Sequence, residues 1–70
     1  MKTYKVEIKK NIEDTKRVVF ESITQEDFCA WFYGKYDSRA MFHPDMPRMV
    51  FRPRDKKDNA ICAVYVTPNV

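Results

Sequence analysis

The densest chemistry in the sequence is a run of cations over residues 48–57. Arg48, Arg52 and Arg54 stand at even spacing, so an extended strand puts all three on one face, and Lys56 and Lys57 continue the charge into the following turn. Tyr65 joins that face if Cys62, Val64 and Val66 of a later strand point inward. Such a row of guanidinium groups beside a ring has three uses. It can meet an acidic protein surface. It can contact phosphates while the ring stacks on an unpaired base. It can also be a solvated sheet face whose arginines pair with Glu7 and Glu21 across strands.

Trp31 and Tyr33 are residue types enriched at the centres of protein interfaces. His43 lies in a proline-containing stretch with Pro44 and Pro47, where an exposed loop beside an aromatic flank makes a docking surface. His43, Pro44 and Asp45 also spell the tripeptide at the heart of J-domain co-chaperones, and Arg39, Ala40, Met41 and Phe42 before it add to the likeness. That family sets the tripeptide between a long basic helix and a second helix. Gly34 and a β-type sequence flank it here, so a proline-stiffened loop accounts better for these residues.

Residues for catalysis are sparse. The single histidine, two cysteines in apolar runs and scattered carboxylates offer no nucleophile with a base and an orienting group, and Cys29 with His43 is the one dyad to consider. No His and Cys spacing suits zinc, and one glycine is too few for a phosphate-cradling loop or a dinucleotide-binding turn. No cofactor, metal or small-molecule substrate is expected.

The elements that must position these residues follow from periodicity. Residues 3–9 alternate, with Tyr4, Val6 and Ile8 on one face and Lys5, Glu7 and Lys9 on the other. A polar connection over 10–16 leads to a β-branched and aromatic run at 17–23, which predicts a hairpin. Thr24 with Asp27 is a variant capping box, and Ile23 with Phe28 is spaced as a hydrophobic staple, so a helix should begin at Gln25. Gly34 would close it in a left-handed conformation after about nine or ten residues. At 100° per residue Phe32 is central to the apolar arc, and Trp31 and Tyr33 lie on flanks about 160° apart. One sheet cannot bury both flanks, so one stays partly exposed or the next segment folds back over it.

Residues 35–47 read as a long loop in which Met41 and Phe42 tuck beneath the domain. Residues 48–54 alternate again, and Pro53 makes that strand an edge or ends it. A tight polar turn at 55–59 precedes 60–67, which is apolar on both faces and therefore central in a sheet.

Together these predict one α+β domain over residues 1–70: a four-stranded, mainly antiparallel sheet with one short helix on one face, in β-β-α-β-β order. At 70 residues, with 44% apolar and 14% aromatic content, the chain supports one modest, aromatic-filled core. The net charge of +3 is far below that of a nucleic-acid coat, but it is uneven. Residues 1–10 carry +3, residues 12–28 carry −3 and residues 35–57 carry +4. Cys29 and Cys62 are expected as free thiols in a reducing cytoplasm, since no apolar run spans a bilayer and no signal peptide is recognisable.

The function expected on this basis is non-catalytic protein binding, of the compact inhibitor or adaptor kind common in phages and mobile elements. The surface would comprise Arg48, Arg52, Arg54, Lys56, Lys57, Tyr65, Trp31, Tyr33 and His43, facing an acidic partner. The alternative is nucleic-acid binding through the Arg, Lys and Tyr face. A homodimer through the edge strand is a third arrangement, which Pro53 and the arginines oppose.

Overall fold

The computed structural model describes residues 2–10 and 15–69. The chain is a small α+β fold. In order it forms β1 (Tyr4–Lys10), β2 (Arg17–Ile23), α1 (Gln25–Lys35), β3 (Tyr36–Asp37), β4 (Met49–Phe51), β5 (Arg54–Asp55) and β6 (Cys62–Pro68). Four strands make an antiparallel sheet in the order β2-β1-β6-β4, and β3 pairs with β5 in a separate two-stranded ribbon. The connection expected over 10–16 falls mostly on residues 11–14, outside the described residues.

The alternation of β1 does what its pattern requires: Tyr4 and Val6 are buried while Lys5, Glu7 and Lys9 turn the other way. The last long strand is central, as its two apolar faces predict, with β1 on one side and β4 on the other. Cys62, Val64 and Val66 of β6 point into the core together with Met49 and Phe51 of β4. The edge strand β2 shows two register irregularities against β1, a local twist of the kind that discourages pairing with another chain.

Helix α1 starts where its cap predicts. Thr24 is extended and its Oγ1 accepts from the Asp27 N–H at 3.2 Å, while Glu26 and Asp27 in the first turn and Lys35 in the last complement the helix dipole. Phe28 and Phe32 are fully buried and stack at 5.2 Å, and Phe32 meets Phe51 of the sheet at 4.9 Å. Both flanks of the helix stay partly exposed, each with a cover. Trp31 is met edge-on by Phe20 of β2 and by Tyr36, and the Tyr33 hydroxyl donates to the Ala40 carbonyl, which draws the following loop back toward the helix.

The helix end departs from expectation. Gly34 lies within the helix, which runs to Lys35, and no glycine has positive φ; the cap is Tyr36 at φ −118°, whose N–H returns to the Phe32 carbonyl. The reason lies in the next residue. Tyr36 must enter the core, where it is 1% exposed, and must pair with Asp55, and an extended exit delivers it there directly. Within the loop, Phe42 packs on Tyr4 at 5.1 Å and on Phe28 at 5.6 Å, but Met41 stays 72% exposed rather than tucked under. His43 and Pro44 lie in a turn closed by the Met46 N–H to the His43 carbonyl, and coil with the short strands β3 and β4, in place of two directly flanking helices, surrounds the tripeptide.

Two stability changes follow. No atom lies within 4 Å of a Cβ built on Gly34, so Gly34→Ala should raise stability by up to about 1 kcal/mol; a lower urea midpoint would indicate the left-handed end instead. The Tyr36 hydroxyl is buried without a hydrogen-bond partner among the described residues. Tyr36→Phe should therefore be neutral or stabilising in the same measurement, because it removes an unsatisfied group and no bond.

Candidate basic sheet face

Helix α1 covers one side of the sheet, and the other side is open. Register aligns the side chains there into rows: Val18, Glu7, Tyr65 and Val50 lie abreast across β2, β1, β6 and β4. One row along, Lys9 stands beside Ala63. The pairing of β4 with β6 keeps a single register past the end of β4, since the Cys62 N–H donates to the Pro53 carbonyl, Arg54 bridges Ile61 and the Asp55 N–H donates to the Ala60 carbonyl. Arg52 therefore stands opposite Ala63, and Arg48, Val50, Arg52 and Arg54 share one side of this extended hairpin.

Pro53 interrupts the strand that the alternation of 48–54 predicts as continuous. β4 ends at Phe51, and Arg54 belongs to β5, which turns its far edge to β3. The alternation of burial survives the interruption, with Phe51, Pro53 and Asp55 in and Arg52 and Arg54 out.

The turn that joins the two arms depends on Asp55. Its carboxylate accepts from the Lys57 N–H at 2.7 Å and the Asp58 N–H at 3.4 Å, and Asn59 takes φ 62° to bring the chain back. These backbone donors, chiefly that of Lys57, hold the Asp55 carboxyl below its ordinary range against an opposing effect of burial.

The remaining sequence-predicted residues lie in different places. Lys56 is tied away from the open face, its ammonium donating to the Tyr33 carbonyl at 2.9 Å near the helix C-terminus. Lys57 is exposed in the turn. Trp31 and Tyr33 sit on the helix, on the covered side of the sheet. His43 is exposed and lines a groove of about 300 Å³ at the β4 edge, with Met41, Met46, Arg48 and Val50. Arg48 and Val50 thus join the loop groove to the sheet face.

Electrostatically the open face is dominated by cations. Lys5, Lys9, Arg48, Arg52 and Arg54 stand against Glu7, and the Lys16 ammonium lies 4.2 Å above the ring of the half-buried Tyr65. Among the described residues neither Arg48 nor Arg52 pairs with a carboxylate. A second, smaller concavity of about 90 Å³ lies on this face, with Lys9 and Arg52 on either side of Ala63. Sequence reasoning missed Lys9 and Ala63. The signal was the even spacing of Lys9 in β1, but its neighbour across the sheet depends on a pairing between chain ends that periodicity alone does not give.

Both thiols are free, and burial pushes each above its ordinary value, opposite to the shift that activates a nucleophile. Among the described residues no group of three His, Cys, Asp or Glu side chains could hold a metal ion, and no helix is long and apolar enough to cross a membrane. The chain matches no protein-family model, and comparison with curated proteins and with solved structures gives no match.

Asp55 makes acid sensitivity predictable. Because its folded pKa is lowered, the stability it contributes is present above the unfolded carboxyl value of about 3.9 and is lost as pH falls through the lower folded value. Asp55→Asn should flatten the fall in urea midpoint between pH 5 and pH 2, and an unchanged slope would show that the turn does not depend on the charge.

Proposed function

We propose that the protein is a non-catalytic binding module whose open sheet face and adjoining loop groove dock an acidic protein surface. The observation that supports this reading most is the mixture on that side: Val18, Val50, Ile61, Met41 and Met46 are exposed among Lys5, Lys9, Arg48, Arg52 and Arg54. Exposed aliphatic and thioether side chains interleaved with cations suit a partner that presents carboxylates around an apolar centre. Methionines add tolerance, since their unbranched side chains repack around differing shapes. An inhibitor or an adaptor would use such a surface equally well.

Nucleic-acid binding is the weaker reading on geometry. Stacking of unpaired bases needs open ring faces, and Tyr65, the one ring on this side among the described residues, already lies beneath the Lys16 ammonium while its neighbours across the strands are Glu7 and Val50.

A displayed peptide library panned on the immobilised protein tests the choice. Acidic sequences with aliphatic anchors should be enriched, and Arg48→Glu with Arg52→Glu should weaken them at least about tenfold while the fold is retained. Salt-steep micromolar binding of single-stranded or duplex oligonucleotides, lost in the same variant, would assign the face to nucleic acid instead.

A further inference from the structure

The small concavity on the open face has the makings of an anion site. Lys9, Ala63 and Arg52 stand abreast on three adjacent strands, the first pair by direct register and the second by the hairpin register continued on both sides of Arg52. Neighbouring strands lie about 4.8 Å apart, so the backbones of Lys9 and Arg52 are roughly 10 Å apart with only a methyl group between them. Ala63 is 8% exposed and forms the floor. Tyr65 and Ile61, two residues to either side of Ala63 along the same arm of the hairpin, form the walls.

Size and charge narrow the ligand. A concavity of about 90 Å³ is small, and it suits one oxyanion. Among the described residues no ion pair or side-chain hydrogen bond engages Lys9 or Arg52, and no carboxylate lines the concavity. A planar guanidinium offers paired donors to two oxygens while the Lys9 ammonium acts as a point charge. A phosphomonoester carries about −1.5 to −2 at pH 7 and three acceptor oxygens, and so meets the two cations more fully than a carboxylate does.

We propose that the concavity between Lys9 and Arg52, floored by Ala63, is a phosphoryl-binding site, filled by a phosphorylated side chain of the partner protein. The source of the phosphoryl group rests on the protein-docking reading; the chemistry of the site does not. A monoester is preferred to a nucleic-acid diester because the diester carries one charge and brings a base and sugar that find no platform beside Tyr65.

The test is a backbone amide NMR titration of the whole chain with inorganic phosphate against acetate at constant ionic strength. Saturable shifts centred on Lys9, Arg52, Ala63 and Tyr65, weaker by about tenfold or more with acetate, are expected. Arg52→Gln and Lys9→Gln should each weaken phosphate binding without altering the rest of the spectrum, and Ala63→Leu should abolish it by filling the floor. Shifts that do not saturate, that spread over every lysine, or that persist in all three variants would overturn the site. A phosphoserine peptide that binds more tightly than a phosphodiester dinucleotide supports the side-chain source, and the reverse order overturns it. Loss of phosphate binding with acidic peptides still bound would remove this site and leave the docking surface, whereas phosphate binding without any peptide would keep the site and remove its proposed source.

Discussion

The carboxylate of Asp55 is the fixed point of the open face. By accepting from the Lys57 and Asp58 N–H groups it sets the turn, and Asn59 in the left-handed region completes it. That turn decides which residue of β6 faces which residue of the 49–55 arm. A slip of one position would send Arg52 to the covered side and Phe51 to the open one, because side chains alternate across a strand. The arginine row, the placement of Ala63 between two cations and the burial of Phe51 against Phe32 are therefore consequences of one turn geometry.

The two sides of the sheet divide the work by side-chain type. Aromatic bulk is concentrated on the covered side, where Tyr4, Phe28, Phe32, Tyr36, Phe42 and Phe51 meet at ring distances of 4.9 to 6.0 Å. Six rings supply a core that so short a chain could not fill with aliphatic residues alone. With the core satisfied from one side, the opposite side is free of packing demands and carries charge. Even Trp31 is drawn into this scheme: Phe20, Phe28 and Tyr36 surround it, so the residue whose type most resembles an interface anchor serves largely to close the rim of the core.

Elements with a clear period were legible in the sequence. The alternation of β1, the Thr24 cap with its Ile23 and Phe28 contacts, and the two-sided apolar β6 each state their own environment, and the outward side of Arg48, Arg52 and Arg54 follows from counting by two. What escaped notice has no period to display. β3 and β5 hold two residues each, and they exist because Tyr36 is buried and Asp55 builds a turn. Gly34 reads as a helix stop because glycine usually is one, yet the pull on Tyr36 decides the exit. Lys56 reads as part of the basic row, but the free carbonyls at the end of α1 lie within its reach. Lys9 and Ala63 acquire meaning only side by side, and that adjacency is a property of the sheet order.

That order has a kinetic corollary. The two inner strands, β1 and β6, stand first and last in chain order among the described strands, and Tyr4 pairs with Pro68. The β1–β2 hairpin and α1 can form early, but the edge of β1 that β6 will pair with stays open until synthesis passes β6. Closing the sheet is then a single late step that joins distant segments, which places this fold among the slower for its size. Until it closes, the nascent chain exposes an unpaired strand edge beside a cluster of aromatic rings, the kind of surface that general chaperones hold.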